Sequence, residues 1–150
     1  MAWPEGLVGL YRTHYLRMVR LAFLLTGSNA HAEEIVQEAF IRLRTRAGLA
    51  DPAAYLRAVV VNGCRDHLRR RGIHDRAALR LVRDEAVVDQ VDELGDALER
   101  LPGRQRAVLV LRYYEGMTEA EIASLLGCRP GTVKSLAHRG LAQLRGTLER

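Results

Sequence analysis

The sequence predicts an all-α chain of two small helical domains joined by a linker, the second domain ending in a helix-turn-helix. Three observations carry that expectation. Apolar residues recur at three- and four-residue steps along most of the chain, with no useful strand-like alternation and no internal repeat. Residues 72–89 lose that pattern and turn polar and acidic, which marks a linker between domains at 1–71 and 90–150. The stretch Thr118–Arg145 carries a helix cap, a glycine turn and a second amphipathic helix, in that order.

The first helix is expected from about Pro4 to Leu25, with Gly27 ending it. Leu7, Leu10, Tyr11, Tyr15, Met18, Val19, Ala22 and Phe23 step round one face, so the two tyrosines read as core. Ser28 or Asn29 caps a second helix from Ala30 to about Arg46, in which Glu33 and Glu34 are expected in the first turn, where a helix dipole favours acids. Ile35, Val36, Ala39, Phe40 and Leu43 form its apolar side. Glu34, Gln37, Glu38 and Arg42 lie on another face, which is either a solvated surface or a dock for a basic helix.

Asp51-Pro52 opens a third helix, Ala53 to about Arg71. Tyr55, Leu56, Val59, Val60 and either Cys64 or Leu68 are expected to supply its buried stripe. Asn62 interrupts the apolar run, and Arg65, Arg69, Arg70 and Arg71 make its end strongly basic. Terminal arginines complement a helix dipole. They equally suit a helix laid along nucleic acid, with arginines on phosphates and an amide at a base edge.

Beyond the linker, Val91 to Leu101 is amphipathic, and Pro102 restarts a helix to Glu115 that buries Ala107, Val108, Leu111 and Tyr114 before Gly116 closes it. Thr118 and Glu121 then have capping-box spacing, and Ile122, Ala123 and Leu126 give a short apolar face. Gly127 ends this helix and Pro130 begins the next. In the last helix Val133, Ala137, Leu141 and Leu144 face inward, leaving Lys134, Ser135, His138 and Arg139 outward. A capped short helix, a glycine turn and a second helix with polar residues near its start suit the DNA major groove.

Charge is distributed to match. Residues 1–71 hold 11 arginines against 6 acids, residues 72–97 hold 3 basic residues against 7 acids, and residues 98–150 hold 9 against 5. Two basic segments flanking an acidic one suit two polyanion contacts. Lys134 is the only lysine. The two cysteines, Cys64 and Cys128, have no partner pair nearby, so neither a zinc site nor a disulfide framework is indicated; a reducing, cytoplasmic setting is expected, with no metal and no cofactor. No apolar run reaches membrane-spanning length and no signal-peptide grammar is present. An enzyme would need a nucleophile or a metal carboxylate cluster, whereas Ser28 and Ser124 read as cap and surface residues and the five histidines are scattered.

Four blocks in this order resemble a known family: AEEIVQEAFIRL (Ala32–Leu43), PAAYLRAVVVNGCRDHLRRR (Pro52–Arg71), LERLPGRQRAVLVLRYYEGMTEAEIASLLG (Leu98–Gly127) and GTVKSLAHRGLAQLR (Gly131–Arg145). The whole chain resembles a bacterial RNA polymerase sigma factor of the extracytoplasmic-function class, in its small actinobacterial-type branch. The resemblance implies that Glu34, Gln37 and Glu38 bind the clamp helices of the largest subunit of core RNA polymerase. It implies that the third helix recognises and melts the −10 promoter element, with Asn62 reading a flipped base and Tyr55 as the melting aromatic. Arg65, Arg69, Arg70 and Arg71 would complete that DNA contact. The last helix would read the −35 element through Arg129, Thr132, Lys134, Ser135, His138 and Arg139. An anti-sigma factor is an implied further partner.

Two positions depart from the family pattern. Arg57 stands where some members carry a second melting aromatic. Leu136 stands where many carry a polar residue, and is expected either to touch a thymine methyl or to shield the helix. Gly140 is expected to permit close packing, at about 1 kcal/mol of helix propensity. The alternative reading is a stand-alone helix-turn-helix regulator that binds duplex DNA as a dimer. It leaves the Glu34–Glu38 face and the Asn62 helix without a role.

Overall fold

In a computed structural model the chain forms two compact units, residues 1–84 and 85–150. The structure describes residues 5–71 and 92–149, with only the backbone for Glu5, Arg71 and Asp92. The acidic linker expected at 72–89 lies outside the described residues.

The N-terminal unit contains α1 (Glu5–Thr26), α2 (Asn29–Arg44) and α3 (Pro52–Arg71), each packed against the other two. Its core includes Met18, Leu21, Ala22 and Leu25 from α1, Val36, Ala39 and Phe40 from α2, and Leu56, Val60, Val61 and Cys64 from α3. Ser28 is the N-cap of α2, accepting from the His31 N–H at 3.3 Å. That start places Glu33 and Glu34 beyond the first turn, which holds no acid. Their expected support from the helix dipole is therefore weak, because it fades after one turn. The tyrosines of α1 are only partly core. Tyr11 and Tyr15 stack at 4.6 Å between ring centroids and Tyr11 meets Phe40 edge-on at 5.1 Å, yet Tyr11 remains 40% exposed.

The C-terminal unit contains α4 (Asp92–Glu99), α5 (Gly103–Leu109), α6 (Glu119–Leu126) and α7 (Pro130–Leu148). The helix of α5 continues through a π-helical turn, Val110–Tyr114, closed by a Glu115 N–H to Val110 carbonyl bond of 3.2 Å. Periodicity alone did not predict that widened turn, and Tyr114 is half-buried rather than core. Gly116 takes φ +68° and brings the Met117 N–H to the Leu111 carbonyl at 3.0 Å, which reverses the chain into α6. α7 packs against α4, α5 and α6 over a core that includes Leu98, Leu101, Val108, Leu111, Met117, Ile122 and Val133.

Candidate functional site

The helix-turn-helix is built by local chemistry. Thr118 Oγ1 accepts from the Glu121 N–H at 3.1 Å while Glu121 Oε1 accepts from the Thr118 N–H at 3.1 Å, a reciprocal capping box. Gly127, at φ +70°, ends α6, and the Cys128 N–H donates to the Ala123 carbonyl at 3.0 Å, the bond of a Schellman turn. Two residues later Pro130 occupies the first turn of α7, where its missing N–H costs nothing.

α7 presents Lys134, Ser135, His138 and Arg139 to solvent as one face. Arg129, its N-cap residue, is exposed; Thr132 is half-buried, its N–H donating to the Arg129 carbonyl at 2.9 Å. The buried stripe is not the expected one. Val133, Leu136 and Gly140 are buried, whereas Ala137, Leu141 and Leu144 are half-buried, a rotation of the inward face by roughly 60° at 100° per residue. Leu136 is therefore neither a thymine contact nor a surface shield: at 6% exposure it is a core residue. The reason is Gly140. A Cβ there would lie 2.9 Å from Leu109 Cδ1 and 3.2 Å from its Cγ, so α5 approaches α7 on the side of Gly140 and draws Leu136 inward.

The N-terminal unit carries a different site. Glu34, Gln37 and Glu38 are exposed on α2, and Glu38 pairs with Arg42 at 3.3 Å on a surface where such a pair contributes little to stability. Glu34, Glu38 and Arg42 form one wall of a groove of about 380 Å³; Asn62, Asp66 and Arg70 on α3 form the other. Their spacing of four residues keeps Asn62, Asp66 and Arg70 on one helix face. Gly63, which with Ile35 also lines the groove, lets α2 and α3 approach closely there, because a Cβ would lie 2.9 Å from Ile35 Cγ2. The His31 and His67 rings, 4.2 Å apart, also border it.

Tyr55 and Asn62 are both on α3, seven residues apart, which puts them nearly in line and about 10 Å apart along the axis. Asn62 is exposed; Tyr55 is half-buried. Arg69 is exposed and pairs with Asp66 at 3.5 Å, Arg70 is exposed, and Arg65 is half-buried. Sequence reasoning found the two walls but not the groove between them. It also missed Gly63 and the histidine pair, since nothing in the local pattern announces a helix crossing. Cys64 is buried and Cys128 half-buried, and among the described residues no group of three or more His, Cys, Asp or Glu could hold a metal ion. Among those residues, too, no helix is long and apolar enough to cross a membrane.

The described residues thus place a polar helix-pair groove on a three-helix unit and a helix-turn-helix, suited to duplex DNA, at the end of a second unit. Residues 10–73 match the sigma-70 region 2 family and residues 92–144 match sigma-70 region 4. The RNA polymerase sigma-E factor of Streptomyces avermitilis is 36% identical over 148 residues, covering 92% of this chain and 82% of that protein. The ECF RNA polymerase sigma factor SigE of Mycolicibacterium smegmatis is 35% identical over 162 residues; the match takes in 98% of this chain but only 62% of the length of that relative. The fold is shared with the sigma factor RpoE of Bartonella quintana, solved in complex with the anti-sigma factor NepR, at a TM-score of 0.77 and 20% identity over 97% of this chain and 98% of that one. The chain belongs to the ECF RNA polymerase sigma factors, a family of transcription initiation factors.

Proposed function

We propose that the chain is a promoter-specificity subunit whose two modules take separate tasks and perform no catalysis themselves. Glu34, Gln37 and Glu38 bind the clamp helices of core RNA polymerase. The α3 face with Tyr55, Asn62, Arg65, Arg69, Arg70 and Arg71 reads and opens the −10 element, and the outward face of α7 with its N-terminal Arg129 and Thr132 grips the −35 duplex. The observation that carries this reading is the shared groove: acids that suit a basic helix and an amide that suits a base face one another across α2 and α3. Unstacking a base costs a few kcal/mol, offset by contacts to the extruded base and by arginine–phosphate attraction. Two weak DNA contacts on one chain make recognition depend on both at once.

The same reading makes the cytoplasm the working compartment and an anti-sigma protein a regulatory partner. The RpoE complex with NepR supports the latter. The test is transcription reconstituted from purified core polymerase and a genomic promoter pool. Added chain should direct initiation to a discrete set of promoters, and Asn62→Ala should shift base preference at one −10 position. No change in the promoter spectrum on adding the chain, with dimeric binding to a palindrome instead, would overturn the reading.

A further inference from the structure

The connection between α2 and α3 is closed by a contact that the groove does not use. The guanidinium carbon of Arg46 lies 5.6 Å from the centroid of the Tyr55 ring, within the range at which a ring face attracts a cation. Both partners are anchored from behind. The Arg46 N–H donates to the Leu43 carbonyl at 3.1 Å, in a turn where the Thr45 hydroxyl donates to the Arg42 carbonyl at 2.8 Å. On the other side the Tyr55 N–H donates to the Asp51 carbonyl at 3.1 Å. Asp51 Oδ1 accepts from the Ala54 N–H at 3.1 Å. Two helix ends, rather than a loose tether, bring the guanidinium and the ring together.

Tyr55 is the only Phe, Tyr or Trp between residues 41 and 112, so a stacking surface in this segment has a single aromatic member. A guanidinium is also planar and delocalised, and unpaired bases stack on its face as they do on an aromatic ring. Its remaining N–H groups form a fork suited to phosphate. Arg46 is exposed, so its outer face is open to a ligand.

We propose that Arg46 is a positioning residue for strand opening. It holds the Tyr55 ring in place, and the two planar groups make a composite platform for one unpaired base, with the guanidinium edge at that nucleotide's phosphate. This rests on the reading of Tyr55 as part of the strand-opening segment. Plane and charge separate cleanly by substitution: Arg46→Lys keeps the charge and loses the plane, and Arg46→Met loses both.

The experiment uses the full chain with core polymerase on a promoter it transcribes, and measures open complex by permanganate reactivity of unpaired thymines. Core affinity and thermal unfolding serve as controls. Arg46→Met should lower opening about three- to fivefold, the size of one exposed cation–π contact, with core affinity unchanged and the chain still fully folded at the assay temperature. Arg46→Lys should lose nearly as much, and Arg46→Met should cost clearly less in the Tyr55→Ala background than alone. Full rescue by lysine, or an additive double variant, overturns the platform. If Tyr55→Ala is defective while Arg46→Met is normal, only the platform falls; if Tyr55→Ala opens the promoter normally, the reading of Tyr55 falls and the platform with it.

Discussion

The two units differ in what holds their functional faces. In the C-terminal unit the helix-turn-helix is fixed by bonds between residues close in sequence: the Thr118–Glu121 box, the left-handed Gly127 and the first-turn Pro130. Its outward residues then share one helix. In the N-terminal unit the groove has walls on two helices, so its geometry depends on how α2 crosses α3 at Gly63. The charge differs too: the α7 face is basic and polar, whereas the groove mixes Glu34, Glu38 and Asp66 with Arg42 and Arg70. A basic face without acids suits a phosphate backbone, while a mixed groove suits a protein on one wall and nucleic acid on the other.

Leu136 should separate the two units by the largest effect. Leu136→Arg places a charge in the core and should destabilise the C-terminal unit by at least about 3 kcal/mol. Amide exchange in the full chain should show α4 to α7 opening while α1 to α3 stay protected. A variant that stays folded and merely changes base preference would return Leu136 to the DNA face.

The two crossing glycines sharpen the contrast next. Gly140→Ala gains about 1 kcal/mol of helix propensity but overpacks against buried Leu109, for a net loss of about 1 kcal/mol in a thermal unfolding measurement. Gly63→Ala meets Cγ2 of a single, half-buried side chain, Ile35, beside the groove. Its effect should stay within about 0.5 kcal/mol, because gain and strain nearly cancel. A larger loss at Gly63 would make the N-terminal crossing the stiffer of the two.

Thr118→Ala removes one half of the capping box and should cost about 1 kcal/mol in the C-terminal unit alone, read by the same exchange measurement. Lys134→Ala should leave stability unchanged and flatten the salt dependence of duplex binding by about one counterion. An unchanged slope would remove Lys134 from the phosphate contacts.

The same contrast explains what could be read in advance. Caps and glycine stops are short-range signals, so Ser28, Thr118, Gly116 and Gly127 are legible as helix boundaries in the sequence alone. The outward set Lys134, Ser135, His138 and Arg139 was legible because it lies opposite Val133. The choice between Leu136 and Ala137 for the core was not, since it turns on the approach of Leu109 to Gly140 from another helix. The π-helical turn at Val110–Tyr114 was equally hidden, because one inserted residue leaves an apolar run looking continuous. Glu34 and Asn62 were each visible as candidates, but their shared groove is a product of tertiary packing.

The central claim is a division of labour, with polymerase held by α2 and duplex DNA by α7. The most direct test measures core-polymerase affinity and duplex DNA affinity of the full chain side by side, for the wild type and for Glu34→Lys/Glu38→Lys. The account predicts that the double reversal abolishes polymerase binding and leaves binding of an isolated −35 duplex intact. Unchanged polymerase affinity in the folded double variant would contradict it.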